Sequence, residues 1–185
     1  MTLFTGKGDD GKTKTFGCDQ RVSKSSAISE ALGSLDEVNS FLGVCKTHAD
    51  AIRPLLEGKT FADMLDWVQK NLFIVQAHVA GSAEKTIAKE KITHMEAAVE
   101  AMEKEMPPIT TFFVSGGTPF AAYLDVARTL ARRAERRVVA VSEEGERSVD
   151  PTVLAFLNRL SSVLYALARY VNYKAGIEEE KPTYT

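Results

Sequence analysis

Sulfur and imidazole are scarce in this chain: two cysteines, Cys18 and Cys45, and three histidines among 185 residues. The cysteines form no CxxC pair and the histidines are scattered. No zinc-binding spacing exists, and the thiols read as those of a protein in a reducing compartment. Excess charge is missing as well. Against 25 Asp and Glu stand 23 Lys and Arg, a formal net charge of -2, which gives no overall electrostatic case for nucleic acid as partner. No run approaches the eighteen or so apolar residues that cross a bilayer, and no charged-then-apolar leader opens the chain. The expectation is a soluble, cytoplasmic protein with no membrane association. Alternating strand patterns are absent too. What is present, 44% hydrophobic and 26% charged residues, suits one globular domain spanning 1–185.

Helical periodicity dominates. From Ser25 to about Ala49, residues Ile28, Ala31, Leu32, Leu35, Val38, Leu42 and Cys45 recur at intervals of three and four. A second helix covers FADMLDWVQKNLFIVQAHVAGS and ends near Gly81. A third, THMEAAVEAMEKEM, is stopped by Pro107 and Pro108. The fourth opens at Thr118-Pro119, Thr as N-cap and Pro at the first helical position, and runs to about Glu143. The fifth opens at Asp150-Pro151 by the same signal and continues through Asn172. The fold class is therefore all-α, a five-helix up-and-down bundle over 25–175. An extended segment, 1–24, precedes it, and a tail, 176–185, is expected to fray.

Within the first segment, GKGDDGKT at 6 to 13 has the letters of a Walker A loop. That loop requires a buried strand before its first glycine and a helix opening at Lys-Thr. Only MTLFT precedes Gly6 here, and KTFGCDQRVS has no helical period. The Walker reading fails on context, but three glycines with lysines and threonine hydroxyls still suit phosphate.

Two helices carry more than a core. On the fourth, Leu124, Ala127, Ala131, Ala134, Val138 and Val141 form the apolar stripe, and Arg128, Arg132, Glu135 and Arg136 fall on one flank of it. Taken singly, each arginine reads as part of a solvated face, and Arg133 and Arg137 are assigned to one. Together, guanidinium forks along the edge of a core stripe suit phosphate oxygens. On the fifth, Asn158, Ser162, Tyr165 and Arg169 line a flank. Asp36 lies beside the stripe of the first helix, where a charge calls for an arginine partner. In FFVSGGT, Phe112 and Phe113 precede a Gly-Gly turn; spacing alone assigns them either to packing or to a pocket wall.

In order, TGKGDDGKT, RVSK, ALGSLDEVNSFLG, FFVSGGT, VARTLARRAERRVV and FLNRLSSVLYALARYVN resemble the PduO-type ATP:cob(I)alamin adenosyltransferases over nearly the whole chain. The resemblance implies a homotrimer with sites between subunits. It implies transfer of the 5′-deoxyadenosyl group of ATP to the cobalt of cob(I)alamin, giving adenosylcobalamin and triphosphate. By the same resemblance Thr5, Gly6, Lys7, Gly8, Asp9, Thr13 and Lys14 wrap the triphosphate in a nest of N–H groups and hydroxyls, and Lys24 adds a phosphate contact. Arg132, Glu135, Arg136 and Asn158 take the nucleotide, Asp36 pairs with Arg128 across the interface to place cobalamin, and Phe112 closes the lower face of cobalt. Magnesium accompanies the triphosphate, with no protein ligands assigned. A cobalamin reductase and an adenosylcobalamin-dependent enzyme are the implied protein partners. Two departures from the family pattern stand out: Ser115 where proline is usual, and SSAIS after RVSK.

Three other readings compete. A P-loop phosphotransferase requires a parallel sheet that the pattern lacks. A trimeric regulator or escort binding ATP or adenosylcobalamin without turnover would be expected to lose Asp36, Phe112 and Arg128, which are all present. A nucleic-acid binder built on RRAERR lacks interleaved aromatics.

Overall fold

The computed structural model describes residues 3–15, 21–49, 59–82, 84–145 and 147–184. Its five helices are α1 Ala27–Thr47, α2 Phe61–Ala80, α3 Lys89–Glu105, α4 Pro119–Glu143 and α5 Pro151–Lys174. Four of them begin on a side-chain cap that satisfies an otherwise unpaired N–H. Ser26 accepts from the Ser29 N–H at 3.3 Å, Thr118 from Ala121 at 3.2 Å and Asp150 from Thr152 at 2.8 Å. Thr60 and Asp63 cap each other's backbone N–H reciprocally. α3 differs: Ala88 offers no capping side chain, so its start left no mark in the sequence, and it opens at Lys89 rather than near Thr93.

α4 lies at the centre, packed against α1 on one side and α5 on the other, with α2 against α1 and α3 against α5. Ala127, Ala131 and Ala134 are completely buried; their methyl-sized side chains let both neighbours approach closely. Leu35, Val38 and Leu42 of α1 and Leu157, Leu160 and Leu164 of α5 belong to the same core. Enlarging Ala131 to leucine would overpack it, at a cost of about 1–3 kcal/mol. Among the described residues α5 alone is long and apolar enough to cross a membrane, with a mean hydropathy of 1.2 over its best window. The fold spends that apolar surface on the core instead, burying Val153, Phe156, Leu157, Leu160, Val163, Leu164 and Leu167.

His78 ties the end of α2 to the start of α5. Its Nε2 accepts the Asp150 N–H at 3.0 Å and its Nδ1 lies 3.0 Å from the Lys85 carbonyl, which places the ring proton on Nδ1.

Two features depart from expectation. Lys12–Lys14 and Arg21–Ser23 form short antiparallel strands, β1 and β2, in the register Thr13 opposite Val22. Three-residue strands of mostly polar residues carry no hydrophobic alternation, which is why the sequence reads as strandless. The tail is anchored through Glu180. The Val114 N–H donates to the Glu180 carbonyl at 2.8 Å, and Glu179 is ion-paired with Arg169, which is 5% exposed. A buried guanidinium needs a carboxylate, and the tail supplies it. Cys18 lies outside the described residues.

Candidate active site

The flank of α4 faces two adjoining clefts. The larger, about 670 Å³, is walled by Phe112, Phe113 and Ser115 from the segment before α4, by Arg128 and Arg132 of α4, and by Ser161, Ser162 and Tyr165 of α5. The second, about 460 Å³, is formed by Arg132, Glu135, Arg136, Val139 and Glu143 of α4 with Asn158 of α5. Arg132 borders both. Helical spacing accounts for this: positions 128, 132, 135 and 136 fall on one flank of the buried stripe, and positions 158, 162 and 165 on the facing flank of α5.

The arginines of RRAERR divide by partner. Arg133 is ion-paired with Glu37, and Arg137 lies 3.9 Å from Glu30, both on α1. The solvated face expected for this pair is thus a half-exposed seam between α4 and α1. Arg132 and Arg136 have no carboxylate partner among the described residues. An arginine with no internal partner on a cleft wall is available to an anionic ligand. Arg128 is held inside its cleft by Asp125, Nε to Oδ1 3.1 Å, with its guanidinium over the Tyr165 ring at 5.7 Å. Burial raises the Tyr165 phenol above its ordinary pKa, keeping it protonated as a hydrogen-bond donor.

Asn158 is oriented from both sides. Its Nδ2 donates to Glu135 at 2.9 Å, while its Oδ1 accepts from Arg159 at 2.8 Å. Arg159 is fixed in turn by Glu96 of α3 at 2.7 Å. No periodicity signals this chain of contacts, since Arg159 and Glu96 lie on separate helices.

Phe112 projects from its segment with 78% of its surface exposed. Behind it, Asn172 of α5 holds the turn: Nδ2 donates to the Gly116 carbonyl at 2.8 Å and Oδ1 accepts the Thr118 N–H at 3.0 Å. A Cβ at Gly117, where φ is 89°, would lie 2.4 Å from the Asn172 Oδ1. Glycine is required there both for its backbone angle and for the close approach.

The glycine loop is built by other means. Arg21 of β2 reaches back to Asp10, its Nη2 2.7 Å from Oδ1 and its Nη1 2.9 Å from Oδ2, and it also donates to the carbonyls of Lys7 and Lys12. The Lys12 N–H, followed by the Arg21 guanidinium, holds the Asp10 carboxyl below its usual pKa. The sequence reading missed both Asp10 and Arg21. The Lys24 ammonium stands 3.1 Å from where a Cβ on Gly8 would sit, so Lys24 adjoins the loop. Leu3 and Phe4 before the loop are almost fully exposed.

Within one protomer the candidate residues form two groups. Phe112, Arg128, Arg132, Glu135, Arg136 and Asn158 share the paired clefts. Thr5, Gly6, Lys7, Gly8, Asp9, Thr13, Lys14 and Lys24 make up the hairpin loop or adjoin it, and none of them lines either cleft. Asp36 is exposed on α1 with no arginine partner among the described residues, and Arg128 has taken Asp125 instead. The pairing expected of Asp36 does not occur within a chain.

Fold and site together define a helical bundle with two adjoining clefts whose arginine-lined wall suits a polyanionic ligand. The chain belongs to the cobalamin adenosyltransferase family, whose profile matches residues 3–171. It is 37% identical over 180 residues to the corrinoid adenosyltransferase of Bacillus subtilis (strain 168), covering 96% of this chain and 90% of that one. It is 38% identical over 181 residues to the corrinoid adenosyltransferase PduO of Citrobacter freundii, where it spans 51% of the longer protein. Among solved structures, a variant PduO-type ATP:corrinoid adenosyltransferase from Lactobacillus reuteri, complexed with cobalamin and ATP, superposes with a TM-score of 0.87. That match has 29% identity and covers 99% of this chain and 97% of that one.

Proposed function

We infer that this chain transfers the 5′-deoxyadenosyl group of ATP to Co(I) of reduced cobalamin, releasing triphosphate and forming adenosylcobalamin. The observation that carries the reading is the pair of adjoining clefts with Arg132 as their common wall. An aromatic-lined cleft for the corrin thus meets an arginine-lined cleft for the nucleotide at one guanidinium. In the reaction the Co(I) electron pair attacks the ribose 5′-carbon; the cobalt–carbon bond forms as the carbon–oxygen bond to triphosphate breaks. The protein's part is to align the two substrates and to stabilise charge on the departing oxygens, the task given to Arg132 and Arg136. Glu135 and Asn158, already hydrogen-bonded to each other, are assigned to the nucleoside end.

Phe112 is assigned to the lower face of cobalt. An apolar ring in place of the lower ligand leaves cobalt four-coordinate, which makes Co(II) easier to reduce to the nucleophilic Co(I) state. Thr5, Gly6, Lys7, Gly8, Asp9, Thr13, Lys14 and Lys24 are assigned to the triphosphate, through backbone N–H groups, hydroxyls and ammonium groups. Because this loop lines neither cleft of its own protomer, the reading includes a homotrimer in which the loop serves a neighbour's clefts and Asp36 meets a neighbour's Arg128. Magnesium is proposed to arrive on the triphosphate. Among the described residues no three His, Cys, Asp or Glu side chains gather as a metal site, and no protein ligands are assigned to it. A cytoplasmic location, a reductase that supplies Co(I) and an enzyme that consumes adenosylcobalamin complete the proposal.

The test is an anaerobic reaction of ATP, magnesium and chemically reduced cob(I)alamin, stopped in the dark. Adenosylcobalamin and triphosphate in equal amounts are expected. ATP binding without a cobalt–carbon bond would overturn the reading in favour of a regulator or escort.

A further inference from the structure

Among the described residues no aromatic or cation contact holds the ring of the residue assigned to the cobalt face. Phe112 is 78% exposed, and residues 107–117 around it contain neither helix nor strand. The placement of its ring is therefore set by whatever fastens this backbone segment. Asn172 secures the far end through Gly116 and Thr118. The rest depends on one guanidinium and the tail. Arg169 donates to the Pro107 carbonyl at 3.1 Å, at the start of the segment. It stands over the Phe113 ring at 5.2 Å. Through Nε and Nη2 it grips both oxygens of Glu179, at 2.5 and 2.7 Å, and the next residue, Glu180, takes the Val114 N–H through its carbonyl. Residues on both sides of Phe112 are thus tied to Arg169 directly or through the tail that it holds.

We propose that Arg169 and Glu179 are positioning residues for Phe112: their ion pair pins the tail across residues 113–114 and so fixes how the Phe112 ring enters the corrin cleft. The chemistry supports a positional role over a purely cohesive one. A bidentate pair is directional. It sits at the base of an irregular segment, where no ladder of backbone hydrogen bonds would otherwise define the chain. Arg169 touches neither cleft, so it acts through Phe113 and Val114. The proposal rests on the reading of Phe112 given above.

The test adds cob(II)alamin to the ATP-loaded, full-length protein and reads the four-coordinate fraction by absorption and electron paramagnetic resonance. Turnover is then measured from cob(II)alamin with a reductant and from preformed cob(I)alamin. Glu179→Gln is expected to lower the four-coordinate fraction and to slow turnover from Co(II) roughly ten- to a hundredfold. The KM for ATP measured with Co(I) should stay within about twofold of the parent's. Arg169→Lys, which keeps the charge but loses the fork, should fall between Glu179→Gln and the parent. Amide exchange at Val114 should speed up in both.

The double variant Arg169→Met, Glu179→Met removes the buried charge together with its partner, so it retains the fold if a single change does not. It should show the same loss of four-coordinate cobalt. Variants that melt with the parent and keep its four-coordinate fraction would overturn the positioning role. Phe112→Ala run in parallel separates the two levels. If Phe112→Ala lowers the fraction and the Arg169 and Glu179 variants do not, the positioning role alone is wrong. If Phe112→Ala itself leaves the fraction unchanged, the reading of Phe112 falls and the proposal falls with it.

Discussion

The two regions assigned to ATP are built on opposite principles. The α4–α5 face places its side chains on helices whose other sides are sealed in the core, so Arg132, Glu135 and Asn158 inherit the rigidity of Ala131, Ala134 and Leu157 beneath them. The glycine loop rests on a two-strand hairpin, and its described polar contacts, Arg21 with Asp10 among them, are internal or run to its flanks. One region is preorganised before any ligand arrives, whereas the other carries mostly exposed groups. Preorganised groups contribute to stabilising the transition state, and groups ordered on binding contribute to capture.

The sharpest way to break this contrast is Arg132→Ala. If Arg132 is the fixed cation at the leaving oxygens, as proposed, its loss should lower kcat/KM from cob(I)alamin by roughly 10²–10³, most of it in kcat. Arg21→Ala addresses the other region. The loop would lose its clamp but none of the groups assigned to phosphate, so the KM for ATP should rise roughly tenfold while kcat stays within about threefold. A kcat loss as large as that of Arg132→Ala would show that the loop is as rigidly engaged as the helices.

The Asp36–Arg128 assignment sharpens the contrast between contacts made within and between chains. A double-mutant cycle with Asp36→Ala and Arg128→Ala, read on the KM for cobalamin, should give a coupling of about 1–2 kcal/mol. Additive losses would leave Arg128 with its partners within the chain, Asp125 and Tyr165. The smallest effect concerns the sealed side of the bundle. Burial pushes the Cys45 thiol up from its ordinary value to about 12. The unfolded chain ionises first, so the protonated form's advantage is intact below about pH 9 and is lost as pH rises from there towards 12. Stability should therefore fall by on the order of 1 kcal/mol at pH 10. Chemical denaturation of wild type and Cys45→Ala at pH 8 and pH 10 isolates the term; equal pH slopes in the two would refute it.

Legibility in the sequence followed the same division. The helices of the bundle were readable because burial imposes a period of three to four, and Thr118-Pro119 and Asp150-Pro151 announce their helices by cap chemistry. The flank of α4 was readable for the same reason: a helix converts spacing into direction. Where direction is set by contacts distant in sequence, the pattern carried nothing. Arg21 meets Asp10 eleven residues away, Arg159 meets Glu96 across two helices, and Glu179 looks like one of three equivalent glutamates until Arg169 is found buried beside it. The phosphate role proposed for the loop rests on its glycines, lysines and hydroxyls and on resemblance to known adenosyltransferases, not on period, since no period exists there.

If the two substrates occupy the two clefts as proposed, Arg132, the wall common to both, makes them thermodynamically interdependent. On that assignment, whichever ligand arrives first changes the freedom of that guanidinium and the field it presents, and so the affinity with which the second is met. By linkage the factor is the same in either order. Two ligands that share one arginine therefore need no conformational relay to sense each other.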